Sequence, residues 1–321
     1  MTTLPQAAVG CNRHVWLRGS LVVCSLFMPL IFACAQSSEI DFGPTYRRDV
    51  SEVRLAFVAT DEHDQPVIEL KPQDFVVVDD EQIIRKFRSF VAAGVIKLDL
   101  TVLVDCSDSV LPKFDREMRS VMKLLEQTPA TSGYNLSISI FTFRGLEARA
   151  ICRSDCRTIF TPDRIITLPR GGATPLFDAI RLAADSILHN PQPDAAQVAV
   201  LFSDGQDNVS LASFREASRD LVSTGAQLYA VDIGDARHPS AGTTVLKALA
   251  DESGGRYIQF DKDASDILKM ILGDTQAARI VTYEMPPSNA EFHSVRILPT
   301  RNLSLQFHSR QGYHRRYGDA Y

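Results

Sequence analysis

The chain has 321 residues, of which 45% are hydrophobic, so it can bury a substantial core and has room for two domains. Its formal net charge of −5 arises from interspersed acidic and basic residues, without a long run of one sign. This balance gives no electrostatic basis for nucleic-acid binding, and we exclude nucleic acid as a partner.

Residues 1–35 have the pattern of an export signal. Arg13 and Arg18 precede an apolar stretch over residues 21–35 that ends Ala-Cys-Ala, and this stretch is shorter than the ~20 residues that span a bilayer. The pattern predicts a secretory signal. Two alternatives stay open: an uncleaved membrane anchor, and a lipoprotein signal in which Cys34 becomes a lipidated amino terminus. Each alternative places the rest of the chain outside the cytoplasm.

Cysteine usage agrees with an oxidising compartment. Three of the six cysteines lie in the targeting region, which leaves Cys106, Cys152 and Cys156. Three residues separate Cys152 from Cys156, a spacing that can close a small disulfide across a turn. A thiolate metal site is disfavoured, because it needs about four ligands. We therefore predict a Cys152–Cys156 disulfide, with Cys106 as a buried thiol.

Residues 36–94 form a β segment. Hydrophobic residues alternate with more polar ones over residues 53–59, as in a strand with one core face. A hairpin pattern follows, and its turn carries Asp79, Asp80 and Glu81. These carboxylates allow a cation loop, but a solvated hairpin turn is the interpretation that we favour. The segment is too small to be stable alone.

The next strand ends in a cluster of oxygen-bearing side chains. Residues 97–104 carry a nearly continuous apolar run, typical of a strand buried on both faces of a parallel sheet. The strand stops at residues 105–109, Asp-Cys-Ser-Asp-Ser, and open α/β sheets bind ligands at this end of their strands. Asp105, Ser107 and Ser109 can turn their oxygens toward one point, which suits Mg²⁺, Mn²⁺ or Ca²⁺. The same residue types are also common in turns and helix caps.

Two later stretches supply a threonine and a second aspartate. Two glycines precede Thr174 and Pro175, and Pro175 fits the first turn of a helix, which would place Thr174 at the N-cap. Further on, a buried strand over residues 197–203 ends in Asp204, and a glycine then permits a sharp turn.

Strand and helix patterns alternate from residue 95 to residue 278. The predicted helices cover residues 113–127, 211–224, 245–252 and 264–272, and further strands cover 136–142, 228–233 and 257–260. Such alternation predicts a doubly wound, mostly parallel α/β sheet. Asp105 and Asp204 then end two different strands and lie at the same edge of that sheet.

Residues 279–321 contain alternating hydrophobic positions at Val295 and Ile297, and again after a turn at Pro299. A lone pair of strands would be marginally stable. We therefore expect these strands to pair with residues 36–94, so that residues 95–278 are inserted in a split β-sandwich. An independent, mobile tail is the alternative.

The combination of an Asp-x-Ser-x-Ser motif with a distant threonine and a distant aspartate resembles the metal-ion-dependent adhesion site of von Willebrand factor type A domains. The five positions are Asp105, Ser107, Ser109, Thr174 and Asp204. The surrounding Gly-Gly-Ala-Thr-Pro-Leu and Phe-Ser-Asp-Gly segments are also similar to those of the family, and the resemblance covers residues 98–272. With its β flanks, the chain is similar to secreted type A proteins of Acidobacteria.

The resemblance implies that Ser107 and Ser109 coordinate a divalent cation directly, and that Thr174 does so directly or through water. Asp105 and Asp204 would anchor the waters. The expected cofactor is Mg²⁺, with Mn²⁺ or Ca²⁺ as alternatives. An open coordination position can accept an aspartate or glutamate carboxylate from a partner protein. The expected function is metal-dependent protein binding by a secreted or cell-envelope protein, with membrane contact only through a lipid or signal anchor.

Two other classes of function stay open. A hydrolase would use the cation to activate water, but the three motifs contain no histidine or glutamate suited to general-base work. His189 ends a helix and His238 lies in a loop, where we expect it to be solvated; Asp108 and Asp207 fit helix-capping or supporting roles better. A structural envelope protein with a vestigial site is the other alternative. The complete ligand set argues against a vestigial site, and the missing general base argues against catalysis, so we expect a binding protein that is not an enzyme.

Overall fold

The computed structural model describes residues 51–94, 97–127, 135–153, 156, 168–190, 195–260 and 264–315. The predicted signal, residues 1–35, lies outside the described residues. The strands are β1 (Glu52–Thr60), β2 (Phe75–Asp79), β3 (Gln82–Ile84), β4 (Ser89–Ala92), β5 (Lys97–Asp105), β6 (Asn135–Arg144), β7 (Glu147–Cys152), β8 (Ala195–Ser203), β9 (Gln227–Asp232), β10 (Arg256–Gln259), β11 (Arg279–Glu284), β12 (Phe292–Pro299), β13 (Gln306–Ser309) and β14 (Gly312–His314). The helices are α1 (Phe114–Gln127), α2 (Leu176–His189), α3 (Phe214–Thr224), α4 (Ala241–Ser253) and α5 (Ala264–Ala277).

The central sheet has the order β10-β9-β8-β5-β6-β7 among the described residues. All of its pairs are parallel except β6–β7. Helices cover both faces, and β5 lies in the middle, buried from Leu98 to Asp105. The two-sided burial explains the apolar run in its sequence. The predicted doubly wound, mostly parallel α/β sheet is confirmed.

Helix α3 begins at Phe214, whereas the apolar spacing predicts a start at Leu211. The reason is a capping box: the Ser213 hydroxyl accepts the Glu216 N–H at 3.3 Å, and the Glu216 carboxylate accepts the Ser213 N–H at 2.8 Å. Leu211 therefore lies in the preceding loop and is 97% exposed.

Two antiparallel sheets, β13-β1-β11-β4 and β14-β12-β2-β3, combine strands from both flanks of the central sheet. Glu52 is opposite Glu284, and Val77 is opposite Ile297. An aromatic cluster fills the interior between the sheets, with the Phe57 ring 5.1 Å from the Phe75 ring. The prediction of a small all-β domain built from both flanks is confirmed, while the exact domain limits stay a prediction.

A buried ion pair joins the central sheet to the β-sandwich. Arg256 on β10 donates to both carboxylate oxygens of Asp274 on α5, at 2.6 and 2.7 Å, and the Tyr229 hydroxyl donates to the same carboxylate at 2.8 Å. Arg256 also pairs with Asp64, in the turn that follows β1. The guanidinium thus links the edge strand, the last helix of the α/β unit and a turn of the sandwich.

None of the described helices is both long enough and apolar enough to cross a bilayer.

Candidate metal centre

Two neighbouring parallel strands end at one edge of the central sheet. Val104 on β5 is opposite Phe202 on β8, so that Asp105 and Ser203 close the two strands side by side and Asp204 follows directly. Asp105 is fully buried, and Asp204 is 7% exposed. The structure thus places the two predicted aspartates at the same edge of the sheet.

Hydrogen bonds fix both oxygens of Asp105. The Ser107 N–H donates to Oδ1 at 2.9 Å, and the Ser203 hydroxyl donates to Oδ2 at 2.7 Å. Burial raises the pKa of Asp105 to about 6, with a smaller raising effect from the charge of Asp204, while the bonds from Ser107 and Ser203 lower it. The hydrogen bonds thus orient the carboxylate, but they do not offset the cost of burying its negative charge.

Two serine hydroxyls converge beside Asp105. The Oγ atoms of Ser107 and Ser109 lie 3.1 Å apart. Ser107 is fully buried, whereas Ser109 is exposed in the short 3₁₀ helix Asp108–Lys113. The pair therefore reaches from the interior to the surface.

The loop that carries Thr174 is bonded to the loop after β5. The Gly171 N–H donates to the Cys106 carbonyl at 2.7 Å, and the Asp108 N–H donates to the Gly172 carbonyl at 2.9 Å. Gly172 has φ of +93°, and a Cβ there would lie 3.1 Å from the Gly145 Cα, so the close approach needs glycine. This junction brings Thr174, which is 1% exposed, to the same edge.

Thr174 is not the N-cap of α2, contrary to the sequence expectation. The cap position is occupied by Pro175, without a side-chain cap bond. Instead the Asp207 carboxylate accepts the Phe177 N–H at 3.0 Å, and the Ser210 hydroxyl accepts the Asp178 N–H at 3.1 Å. The helix start is therefore capped from the loop after β8, which confirms the expected capping role of Asp207 and removes that role from Thr174.

A second loop contact holds Thr174 against the Asp204 loop. The Thr174 N–H donates to the Asn208 side-chain carbonyl at 2.8 Å, and the Asn208 N–H donates back to the Thr174 carbonyl at 3.2 Å. Asp204 accepts the backbone and side-chain N–H groups of Gln206 at 3.1 and 3.2 Å. The supporting roles of Ser203 and Asn208 were not predicted, because they appear only once three loops are brought together.

The two histidines considered for catalysis are exposed. His189 ends α2 and contacts Asp185, whereas α2 begins at the edge that carries Thr174. A helix of that length is about 20 Å long, so His189 lies at the far end. His238 is 82% exposed and pairs with Asp235, as expected for a solvated residue; hydrogen bonding by His238 lowers the pKa of Asp235 to about 2.

Cys152 and Cys156 are joined by a disulfide in the structure, with their Cα atoms 5.5 Å apart. Cys152 ends β7, and the Cys156 N–H donates to the Ile138 carbonyl of β6 at 3.2 Å. The bond fastens the chain after β7 to the neighbouring strand. Cys106 is fully buried, and its thiol lies 3.8 Å from the Val104 carbonyl.

Residues 99–272 match the family model of the von Willebrand factor type A domain. The chain belongs to this family. The match covers more than half of the sequence and includes the central sheet from within β5 to β10. The type A domain accounts for the α/β half of the chain, and the β-sandwich lies outside the matched residues.

A curated relative is the magnesium-chelatase 60 kDa subunit of Cereibacter sphaeroides, which is 29% identical over 183 residues; the match covers 54% of this chain and 32% of the relative. An aerotolerance-related membrane protein from Bacteroides fragilis is 19% identical over 56% of this chain and 98% of its own, with a TM-score of 0.44. The manganese-loaded Plasmodium vivax TRAP protein is 16% identical over 76% of this chain and all of its own, with a TM-score of 0.43. The chain thus spans about a third of the curated relative.

Proposed function

We propose that this protein is a metal-ion-dependent protein-binding module that acts outside the cytoplasm. One observation carries the proposal: three loops, fastened to one another by backbone hydrogen bonds, gather two aspartates and three hydroxyl residues at one sheet edge. The five are Asp105, Ser107, Ser109, Thr174 and Asp204.

The donor set fits a hard divalent cation. Hydroxyl and carboxylate oxygens are the ligands that Mg²⁺, Mn²⁺ and Ca²⁺ prefer. Two oxygens at right angles around Mg²⁺ lie about 3 Å apart, which is close to the 3.1 Å between the Ser107 and Ser109 hydroxyls. Burial has also raised the pKa of Asp105, and a cation would relieve the cost of its negative charge. Mg²⁺ is our first choice, with Mn²⁺ or Ca²⁺ as alternatives.

Ser107 and Ser109 would bind the cation directly, and Thr174 directly or through water. Asp105 and Asp204 would hold its waters, because Asp105 is already bonded to Ser107 and Ser203. When bound, the cation supplies an electrophilic coordination position that can accept an aspartate or glutamate carboxylate of a partner protein. Ser109 is exposed, so a partner side chain can reach this part of the site from solvent.

The location follows from the signal pattern of residues 1–35 and from the Cys152–Cys156 disulfide, which favours an oxidising compartment. We propose a secreted or cell-envelope protein. Cleavage of the signal would release the chain, and lipidation at Cys34 would anchor it.

We propose that binding, and not catalysis, is the role of this site. The curated relative is a subunit of a chelatase by name, but the match spans about a third of its length. Within the described residues, the catalytic candidates His189 and His238 are both solvent-exposed, and Asp207 is used in capping α2. A hydrolase or a structural envelope protein with a vestigial site are the competing functions.

The first test is a titration with Mg²⁺ and Mn²⁺, followed by thermal unfolding, on the wild type and on Asp204→Ala. We expect saturable stabilisation in the wild type that is absent from Asp204→Ala. Asp220→Ala is a matched control, because Asp220 lies on α3 and forms a half-exposed ion pair with Arg181 of α2. Equal stabilisation of all three proteins would contradict metal binding at the proposed residues.

The second test concerns the partner. The immobilised protein is incubated with envelope and secreted fractions of the producing organism in Mg²⁺ and then washed with EDTA. We expect proteins that are retained by the wild type, released by EDTA and not retained by Asp204→Ala. Retention that neither EDTA nor the substitution reduces would argue against metal-dependent binding.

A further inference from the structure

A second cluster of metal-ligating side chains lies in the β-sandwich, outside the type A domain. Asp79 ends β2, Asp80 follows it in the turn before β3, and His293 lies on β12. One ligand atom from each of the three residues lies within 4.8 Å of the other two. Asp79 and His293 are fully buried, and the Asp80 side chain is 24% exposed. The expectation of a solvated turn is therefore wrong for Asp79.

Each carboxylate has one oxygen held by the protein. Oδ2 of Asp79 accepts the hydroxyls of Tyr283 and Tyr313 at 2.8 and 2.7 Å. Oδ1 of Asp80 accepts the Ser294 N–H at 2.9 Å. These bonds leave Oδ1 of Asp79 and Oδ2 of Asp80 facing the same ring nitrogen of His293, at 3.3 and 3.0 Å. Supporting bonds of this kind orient the ligands in metal sites.

One hydrogen on Nδ1 of His293 does not give hydrogen bonds to both carboxylate oxygens. If Nδ1 carries a hydrogen, that one hydrogen is shared between Oδ1 of Asp79 at 3.3 Å and Oδ2 of Asp80 at 3.0 Å, and the buried Oδ2 makes only the ion pair and no hydrogen bond. If Nδ1 carries none, its lone pair faces two carboxylate oxygens. An unsatisfied buried carboxylate oxygen is costly. A cation bound by Nδ1, Oδ1 and Oδ2 would satisfy all three atoms at once, and the ring hydrogen would then lie on Nε2, which is buried without a hydrogen-bond partner among the described residues.

We infer that Asp79, Asp80 and His293 form a second metal site, and that its cation is Zn²⁺. The separations of 3.0 and 3.3 Å are close to the about 3.3 Å expected between ligands of tetrahedral zinc. An imidazole ligand selects zinc over Mg²⁺ and Ca²⁺, which take oxygen ligands. Two carboxylates balance the charge of the ion, and a water would be the fourth ligand of a tetrahedral zinc.

The Tyr313 ring also holds the His293 ring in place. The two rings stack, with centroids 4.8 Å apart and planes 10° apart. Tyr313 therefore orients both the imidazole and, through its hydroxyl, the Asp79 carboxylate. The site is preorganised by residues of β11, β12 and β14, which meet β2 only in the folded sandwich.

The test uses elemental analysis to measure the zinc that the protein retains after exposure to ZnCl₂ and dialysis. It is carried out on the Asp204→Ala variant, so that the type A site does not contribute. We expect one zinc per chain. Asp80→Asn in the same background should weaken zinc binding more than tenfold, since it removes an anionic ligand but keeps an acceptor for the Ser294 N–H. Co²⁺ in place of Zn²⁺ should give a tetrahedral visible absorption band that Asp80→Asn abolishes.

Glu81→Gln is the matched control, because it removes the same charge from the neighbouring, exposed turn residue. It should retain zinc. Far-UV circular dichroism checks that each variant is folded, and His293→Gln provides a second ligand substitution. The inference is overturned if the folded Asp204→Ala protein retains no zinc, if Asp80→Asn and His293→Gln retain it unchanged, or if Glu81→Gln loses it equally.

Discussion

The edge of the parallel sheet and the cluster in the β-sandwich collect their side chains in different ways. At the sheet edge, Asp105 and Asp204 lie at the ends of neighbouring parallel strands, which puts them on one side of the sheet, and contacts between loops bring Thr174 to them. In the sandwich, Asp79 and His293 meet because antiparallel strands from opposite ends of the chain pair with each other. The first arrangement leaves a motif in the sequence, and the second leaves scattered residues that only the fold connects.

The two regions also differ in donor chemistry. Three hydroxyls accompany two aspartates at the sheet edge, and the exposed Ser109 connects that edge to solvent. The sandwich cluster has a fully buried imidazole and a buried carboxylate backed by two tyrosines. We therefore expect hard, exchangeable cations at the first and a tightly held borderline cation at the second.

The largest expected effect tests whether the two regions unfold together. Asp274→Ala leaves the Arg256 guanidinium buried without its bidentate partner, and breaking a buried pair costs about 3–5 kcal/mol. Because Arg256 also contacts Asp64 of the sandwich, urea unfolding should show one transition shifted to lower urea for both regions. The ellipticity at 222 nm is dominated by helices, and the described α-helices all lie in the α/β unit, so it reports that unit, whereas zinc release reports the sandwich. A shift confined to the type A domain would contradict the coupling.

The next effect is the pH dependence that Asp105 contributes at the sheet edge. Burial raises the pKa of Asp105 from 3.8 to about 6, so the folded state binds a proton that the unfolded state has lost. In EDTA, the free energy of unfolding should thus be higher near pH 4 and fall as the pH rises through about 6, by about 3 kcal/mol from this residue. The affinity for Mg²⁺ should instead fall below pH 6, because the proton competes with the cation.

Urea titrations of the wild type and Asp105→Asn between pH 4 and pH 8 measure this dependence. The difference between the two proteins isolates Asp105 from Asp99, whose pKa is also raised by burial. Parallel curves for the two proteins would contradict the assignment to Asp105.

A smaller effect is expected from Gly205→Ala. Gly205 has φ of +76°, and a Cβ there would lie 2.2 Å from the Gly242 carbonyl oxygen. The loop that carries Asp204 must shift, with a loss of about 1–3 kcal/mol in the free energy of unfolding and weaker Mg²⁺ binding. Gly273→Ala is the control, since a Cβ on this helical glycine meets nothing within 4 Å and should stabilise the protein by up to about 1 kcal/mol. Zinc retention should be the same in both variants.

The smallest effect is expected at the surface of α3. Asp220 and Arg181 form a half-exposed ion pair at 2.7 Å, and such pairs contribute about 0–1 kcal/mol. Asp220→Ala should leave Mg²⁺ stabilisation and zinc retention unchanged in thermal-shift and elemental analyses. A loss of either response would mean that charge removal alone, without regard to position, perturbs the two regions.

The sequence was sufficient to predict the alternation of strands and helices and the position of Asp105 and Asp204 at strand ends. The reason is that burial of both sheet faces leaves continuous apolar runs in the strands. It was insufficient for the cap of α2. A threonine before a proline fits an N-cap by local rules, but Asp207 and Ser210 reach the helix start from another loop. Capping by distant side chains leaves no local pattern.

The turn after β2 shows the same limit more clearly. Three consecutive acidic residues predict a solvent-exposed turn, and this prediction holds for the exposed Glu81. Asp79 is instead buried by two tyrosines that lie 204 and 234 positions away in the chain. No spacing rule connects residues so far apart, so the cluster with His293 could be found only in the folded molecule.

The split sandwich also has a consequence for the order of folding during synthesis. β1 begins at position 52, and its partner strand β11 ends at position 284, so β1 leaves the ribosome long before its neighbours exist. Folding of the type A domain shortens this gap, because its two ends connect β4 and β11, which pair at Ala92 and Arg279. The compact domain thereby replaces a long flexible loop and lowers the entropy cost of closing it. Folding of the inserted type A domain thus brings the two halves of the sandwich together. Until that domain has folded, the early strands are unpaired and prone to aggregation.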